Sequence, residues 1–299
     1  MWPLQRAGDQ RDLVTGLYRG GRGVPRGREA VMAGGMRGAD KDGALARAGV
    51  DRSGYLTISI DVVLLEMAAR GLIPRTAGQS PLQAADQVHA EAQHLAKRVG
   101  LLALTDGRNL ILDVSLASSR AAEAWMYALR FAGYTVTAVF TEIAAEEAVR
   151  WSEDTYQRGE EEYRAGRGYG GRHIPAAAIR ALADPAVAAA RNRIAWASGA
   201  RATASPPRGM FTGAGLPASA VTTMIASYRA GRLTLDDLRL EFRARRWATV
   251  PAVCPPGLEP ASAAIDDPEP YVPGSFDDVT LAYDLGQLSG TEYALLAGE

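Results

Sequence analysis

Residues 29–43 read Glu29-Ala30-Val31-Met32-Ala33-Gly34-Gly35-Met36-Arg37-Gly38-Ala39-Asp40-Lys41-Asp42-Gly43. An alanine-rich stretch from Ala44 to Gly49 follows, then an apolar run from Tyr55 to Ile60 that ends on Asp61. A short apolar run, a glycine-rich turn with a lysine, a helix, a second apolar run and an acid form the layout of a phosphate-binding loop heading an α/β unit. The consensus G-x-x-x-x-G-K-[ST] can be laid down from Gly35. It then puts Asp40 where the second glycine belongs and Asp42 where the hydroxyl residue belongs, so only Gly35 and Lys41 match. The bland alternative is a glycine-rich surface loop. Lysine usage favours the phosphate loop. Of 33 basic residues only Lys41 and Lys97 are lysines, and one occupies the slot where a compact ammonium must reach phosphates.

The two aspartates bear on affinity. Such a loop aims backbone N–H groups and a helix N-terminus at an anion. A carboxylate about 4 Å from a phosphate charge costs ~4 kcal/mol at an effective dielectric near 20. Asp42 has the chemistry to replace the hydroxyl as a Mg²⁺ ligand, since that ion prefers oxygen donors. Asp40 has no such role, and it sets nucleotide binding against the layout that predicts it.

Outward from this stretch, the pattern is alternating. A helix is expected over Val62–Arg70, closed by Gly71 and Pro74, and a long helix over Ser80–Leu104, opened by Ser80-Pro81. The run Asn109 to Ser115 is continuously apolar up to Asp113, as in a strand buried on both faces. A helix over Ser119–Phe131, a strand over Thr135–Thr141 and a helix from Ala144 complete a doubly wound α/β pattern. Asp113 falls at the carboxyl end of its strand, where a Walker-B acid sits. Residues 150–180 carry six arginines around a glycine cluster, Gly166 to Gly171. Guanidinium groups on a glycine-hinged segment suit a phosphoryl-transfer lid. A solvated helix with Glu160, Glu161 and Glu162 as partners is the alternative for the arginines before Gly166.

The composition narrows the remaining classes. A net charge of −1 gives no general electrostatic grip on nucleic acid or an anionic membrane. The single cysteine, Cys254, leaves no intramolecular disulfide, and His89 and His94 lie five apart rather than at the i, i+4 spacing of a metal pair. No run of about 18 apolar residues appears, so a cytoplasmic protein is expected.

From Val31 to about Leu182 the chain resembles the zeta-toxin family of P-loop kinases. The loop with Lys41, the strand ending Ile58-Ser59-Ile60-Asp61, the run Gly107 to Ser115, and the segment Tyr156-Gln157-Arg158 through Gly171-Arg172-His173-Ile174-Pro175 carry the resemblance. It implies a P-loop kinase-like parallel sheet with flanking helices and an ATP/Mg²⁺-dependent phosphorylation of a small hydroxylated substrate such as UDP-N-acetylglucosamine. It further implies Gly35, Gly38, Lys41 and Asp42 at the nucleotide, Asp42 also at the metal, and Asp61 as general base. Arg158 and Arg172 would clamp the phosphoryl group, while Glu91, Asp113 and Ser115 would meet the substrate. An antitoxin-like partner belongs to the same expectation. The departures are Asp40, Asp42 and Leu64, where a basic residue is usual. They keep open a pseudokinase or binding module of the same fold, and more remotely a neutralising relative that docks through its C-terminal region.

Residues 1–28 read as a flexible basic leader, 29–200 as the kinase-like domain, 201–217 as a linker and 218–299 as a helical accessory region. Within the last, Tyr228 to Asp237 and Tyr283 to Glu292 form a weak repeat: Tyr, Gly at +3, Thr or Ser at +6, an acid at +9. Its physical content is a helix stop at Gly followed by a capping box.

Overall fold

The computed structural model describes residues 6–36, 38–115, 119–183, 219–248 and 267–298. Four strands, β1 (Glu29–Gly35), β2 (Leu56–Ile58), β3 (Leu110–Val114) and β4 (Thr135–Thr141), form an all-parallel sheet of order β2-β3-β1-β4. The continuous apolar runs of β1 and β3 follow from burial on both faces. Ala30, Met32, Leu110 and Leu112 enter the main core. Val31, Ala33 and Ile111 turn the other way, against Leu45 of α2 (Lys41–Arg47).

The main face is covered by α3 (Ile60–Ala69), α4 (His89–Asp106) and α5 (Ser119–Phe131). Expected and observed elements agree closely for α5 and β4. They differ at α4, where Ser80 to Ala84 turns and a 3₁₀ segment, Ala85–Val88, precedes a helix that begins only at His89. Ser80 Oγ donates to Glu160 and accepts from Gln83 N, which makes a turn locked to a distant helix instead of a helix start. The second apolar run also ends early. Strand β2 stops at Ile58, Ser59 is the N-cap of α3, and Asp61 lies in the first helical turn.

The basic N-terminal segment, expected as a flexible leader, contains α1 (Ala7–Gly20). Leu13 and Val14 are fully buried against the core, because with Leu17 and Tyr18 one turn on they give the helix an apolar stripe. Asp106 fastens its end, accepting from Tyr18 Oη at 2.7 Å, Arg26 Nε at 2.8 Å and Arg108 Nε at 2.8 Å. Partial burial opposes ionisation of this carboxyl, yet these donors hold it well below the usual carboxylate range.

After β4, α6 (Ala145–Arg164) and α7 (Ala176–Leu182) pack with Met36 in a small second core. Residues 201–217, read as a linker, lie outside the described residues, as does most of the Pro-rich stretch before Asp267. Among the described residues four helices follow: α8 (Ala220–Arg229), α9 (Leu235–Ala244), α10 (Asp277–Asp284) and α11 (Gly290–Ala297). Both copies of the weak repeat form reciprocal capping boxes, Thr234 with Asp237 and Ser289 with Glu292. The four helices share a core that includes Val221, Ile225, Leu238, Phe242, Val279 and Leu288.

This helical unit is bound to the sheet domain through α4. Arg98 makes a bidentate pair with Asp284, Nε to Oδ2 at 2.9 Å, with both side chains almost wholly buried. Lys97 Nζ bonds Glu269 at 2.8 Å and Asp277 at 2.7 Å. Removing one partner of a buried pair strands the other charge away from water. Asp284→Ala is expected to lower the unfolding free energy by about 3–5 kcal/mol in urea titrations of the full chain.

Candidate functional site

The carboxyl ends of β1, β2 and β3 open into a cleft of about 260 Å³ lined by Gly38, Ala39, Asp40, Lys41, Asp42, Ser59, Asp61 and Asp113. Ligands of open parallel sheets bind at this edge. The register explains the gathering. Ala33 of β1 lies beside Asp113 of β3, and Gly34 beside Val114, so the turn leaving β1 meets the end of β3. Lys41 Nζ pairs with Asp113 Oδ1 at 2.6 Å and donates to Val114 O at 3.3 Å.

The turn requires glycine at Gly38. Its φ is +85°, and an added Cβ would lie 2.9 Å from Trp151 Cβ and 3.3 Å from Ala148 O on α6. At Gly35, the end of β1, an added Cβ would collide with Thr141 O of β4, so no side chain fits there. Asp40 is the N-cap of α2, its carboxylate accepting from Gly43 N at 2.8 Å. The departure from glycine therefore has a local structural use, since Asp is among the best N-cap residues. It also takes one of the backbone donors that a bound phosphate would meet. Asp42 is exposed, and its carboxylate is paired with Arg52.

Asp61 is held from the other side of the cleft. Arg172 Nη1 donates to Asp61 Oδ1 at 3.1 Å, and its Nη2 lies 3.1 Å from His89 Nδ1 at the start of α4. The guanidinium is buried while Asp61 is about half exposed, so the pair presents the carboxylate to the cleft and hides the cation. Arg172 reaches this position because the return segment lies tightly on α6. Gly171 leaves no room for a Cβ beside Tyr156 O, and Glu160 accepts from Gly171 N at 2.9 Å.

The structure thus brings Gly38, Lys41, Asp42, Asp61 and Asp113 together, with Arg172 behind Asp61. Arg158 is exposed on α6, with no hydrogen bond or ion pair among the described residues. Glu91 lies outside the cleft lining, buried under α1 with Gln10 Nε2 at 2.7 Å and Arg6 at 3.0 Å. Ser115 is buried beyond the end of β3, bonded to Asp267. Sequence reasoning did not assign roles to His89, Ser59 and Asp267. Ser59 was findable as a serine at the N-cap position before an apolar run, although its hydroxyl makes no capping bond, whereas no local signal marks the other two.

A parallel sheet of this order, with a glycine turn and lysine after β1 and an acid on the adjacent strand, defines a P-loop kinase-like α/β protein. A family model described as Zeta toxin matches residues 28–193, more than half of the chain, and the protein belongs to that family. No curated protein and no solved structure matches the chain. None of the described helices is long and apolar enough to cross a membrane.

Gly38→Ala is expected to cost roughly 1–3 kcal/mol, through the strained positive φ and the contact with α6. Urea unfolding of the variant beside the unaltered chain measures it.

Proposed function

We propose that the protein is an ATP- and Mg²⁺-dependent kinase that phosphorylates a hydroxyl of a small substrate, with UDP-N-acetylglucosamine the first candidate. The observation that carries this reading is the convergence of Lys41, Asp61 and Asp113 on one cleft, with Arg172 bonded to Asp61. The donor set fits the nucleotide and its ion. Lys41 supplies an ammonium for the β/γ-phosphates in place of its resting partner Asp113. Mg²⁺ needs only one or two carboxylates beside phosphate oxygens and water, and Asp113 and Asp42 are on hand. Bound Mg·ATP supplies the phosphoryl group and neutralises the charge that develops on it.

The remaining work falls to the chain. Asp61 takes the proton from the attacking hydroxyl, its carboxylate oriented by Arg172. Arg172, buried behind Asp61, acts through that carboxylate, and Arg158 has the freedom of an exposed helix position to reach in from α6. The same reading gives the protein a toxin-like role, with an antitoxin-like protein as its regulator.

One observation favours a second reading, a pseudokinase that keeps the cleft without turnover. The Asp40 carboxylate both occupies Gly43 N–H and adds negative charge where phosphates would lie. Calorimetry with ATP, with and without Mg²⁺, separates the two. The kinase reading expects micromolar, Mg²⁺-dependent binding by the unaltered chain. It also expects Asp61→Asn to keep that affinity and lose about 10²–10⁴-fold in turnover. Absence of binding at millimolar ATP, restored by Asp40→Asn with Asp42→Ser, would establish the pseudokinase; asparagine retains the N-cap and removes the charge. If the double variant also ignores ATP, the phosphate-loop assignment falls.

A further inference from the structure

Three consecutive residues at the end of β3 hold two distant partners. Asp113 and Val114 hold Lys41, one through its carboxylate and the other through its carbonyl. The next residue, Ser115, donates from N at 2.6 Å and from Oγ at 3.0 Å to a single oxygen of Asp267, Oδ1. Asp267 lies beyond the residues 28–193 that match the family, in the segment leading to α10. Both it and Ser115 are buried.

The segment that delivers Asp267 is itself fixed at several points. Asp267 O accepts from Gln93 Nε2 at 3.2 Å on α4, and Pro268 O accepts from Trp125 Nε1 at 3.2 Å on α5. Glu269 pairs with Lys97 at 2.8 Å and His94 at 3.3 Å. Burial alone would raise the Glu269 carboxyl, but the His94 hydrogen bond and the Lys97 charge bring it down to about 2, so the anchor stays ionised near neutrality. A carboxyl group buried at this sheet edge needs hydrogen-bond donors, and its Oδ1 finds two on the residue that follows the two holding Lys41.

We propose that Asp267 is a positioning residue for the cleft: by clamping Ser115 it sets the end of β3, and through Asp113 and Val114 the place of the Lys41 ammonium. The C-terminal region is then part of the site and not an appendage to it. The consequence for phosphate binding rests on the role proposed for Lys41, whereas the mechanical link does not. The competing account is a tether that merely fastens the C-terminal segment to the sheet domain.

Full-length variants distinguish them. Asp267→Ala removes the acceptor, Asp267→Asn keeps an oxygen of the same shape, and Ser115→Ala deletes only the Oγ bond. Hydrogen exchange followed by mass spectrometry should show amides of residues 110–115 and 38–47 exchanging at least tenfold faster in Asp267→Ala. Those of α10 and α11 should be unchanged, and Asp267→Asn should stay within about twofold of the unaltered chain. Ser115→Ala should move the same two peptides by a smaller factor, and it decides the matter if Asp267→Ala does not fold. Acceleration confined to residues 267–272, or to β3 without the Lys41 loop, would overturn the proposal in favour of a tether. Mg·ATP calorimetry on the same proteins should show about tenfold weaker binding for Asp267→Ala and rescue by Asp267→Asn. If no variant binds ATP while the exchange coupling persists, the kinase reading fails and the positioning role stands.

Discussion

The parallel pairing of β1 with β3 is the constraint on which the site depends. Five register pairs, from Ala30 with Leu110 to Gly34 with Val114, bring two segments about eighty residues apart in the chain to the same edge of the sheet. Neither strand carries a charged residue in the shared stretch except Asp113, at the carboxyl end. A strand buried on both faces tolerates a charge only where the sheet opens to a cleft, and there Asp113 meets the ammonium of Lys41. Slipping the register by one residue would turn Asp113 to the other face and dissolve the pair.

In the loop after β1, one residue serves the helix at the expense of an open anion site. A seven-residue helix is too short to be stable without help, and Asp40 supplies a cap for α2. The same carboxylate lies on the anion side of the helix terminus, where a glycine would leave the backbone donors open. Arg47 near Asp40 and Arg52 on Asp42 offset part of the negative charge.

The C-terminal helices are joined to the sheet domain by polar chemistry concentrated on one helix. Along α4, Gln93, His94, Lys97 and Arg98 all engage residues between Asp267 and Asp284. Buried ion pairs add little net stability over an apolar contact of the same shape, but they are strict about geometry because a misplaced charge has no solvent to fall back on. That strictness suits a surface that must place a segment, and with it Asp267, against the end of β3.

Much of the fold was legible in the chain. Continuous apolar runs marked β1 and β3, helical periodicity marked α5 and α6, and Gly with Thr or Ser at fixed offsets marked the capping boxes at Thr234 and Ser289. These are local quantities, set within a few residues of one another. The candidate cleft was partly legible for the same reason, since Lys41 follows the glycine turn after the first apolar run, and Asp61 and Asp113 close the next two runs. What tertiary structure alone decided was which distant residues meet. It folded the basic N-terminal segment onto α4, because the stripe of Leu13 and Val14 had a face to cover. It buried Glu91 under α1 instead of in the cleft, and it seated Arg172 between Asp61 and His89. Ser115 found Asp267 across 152 residues of chain. No periodicity encodes such a pair, because its energy exists only once the sheet and the C-terminal segment have closed around it and excluded water.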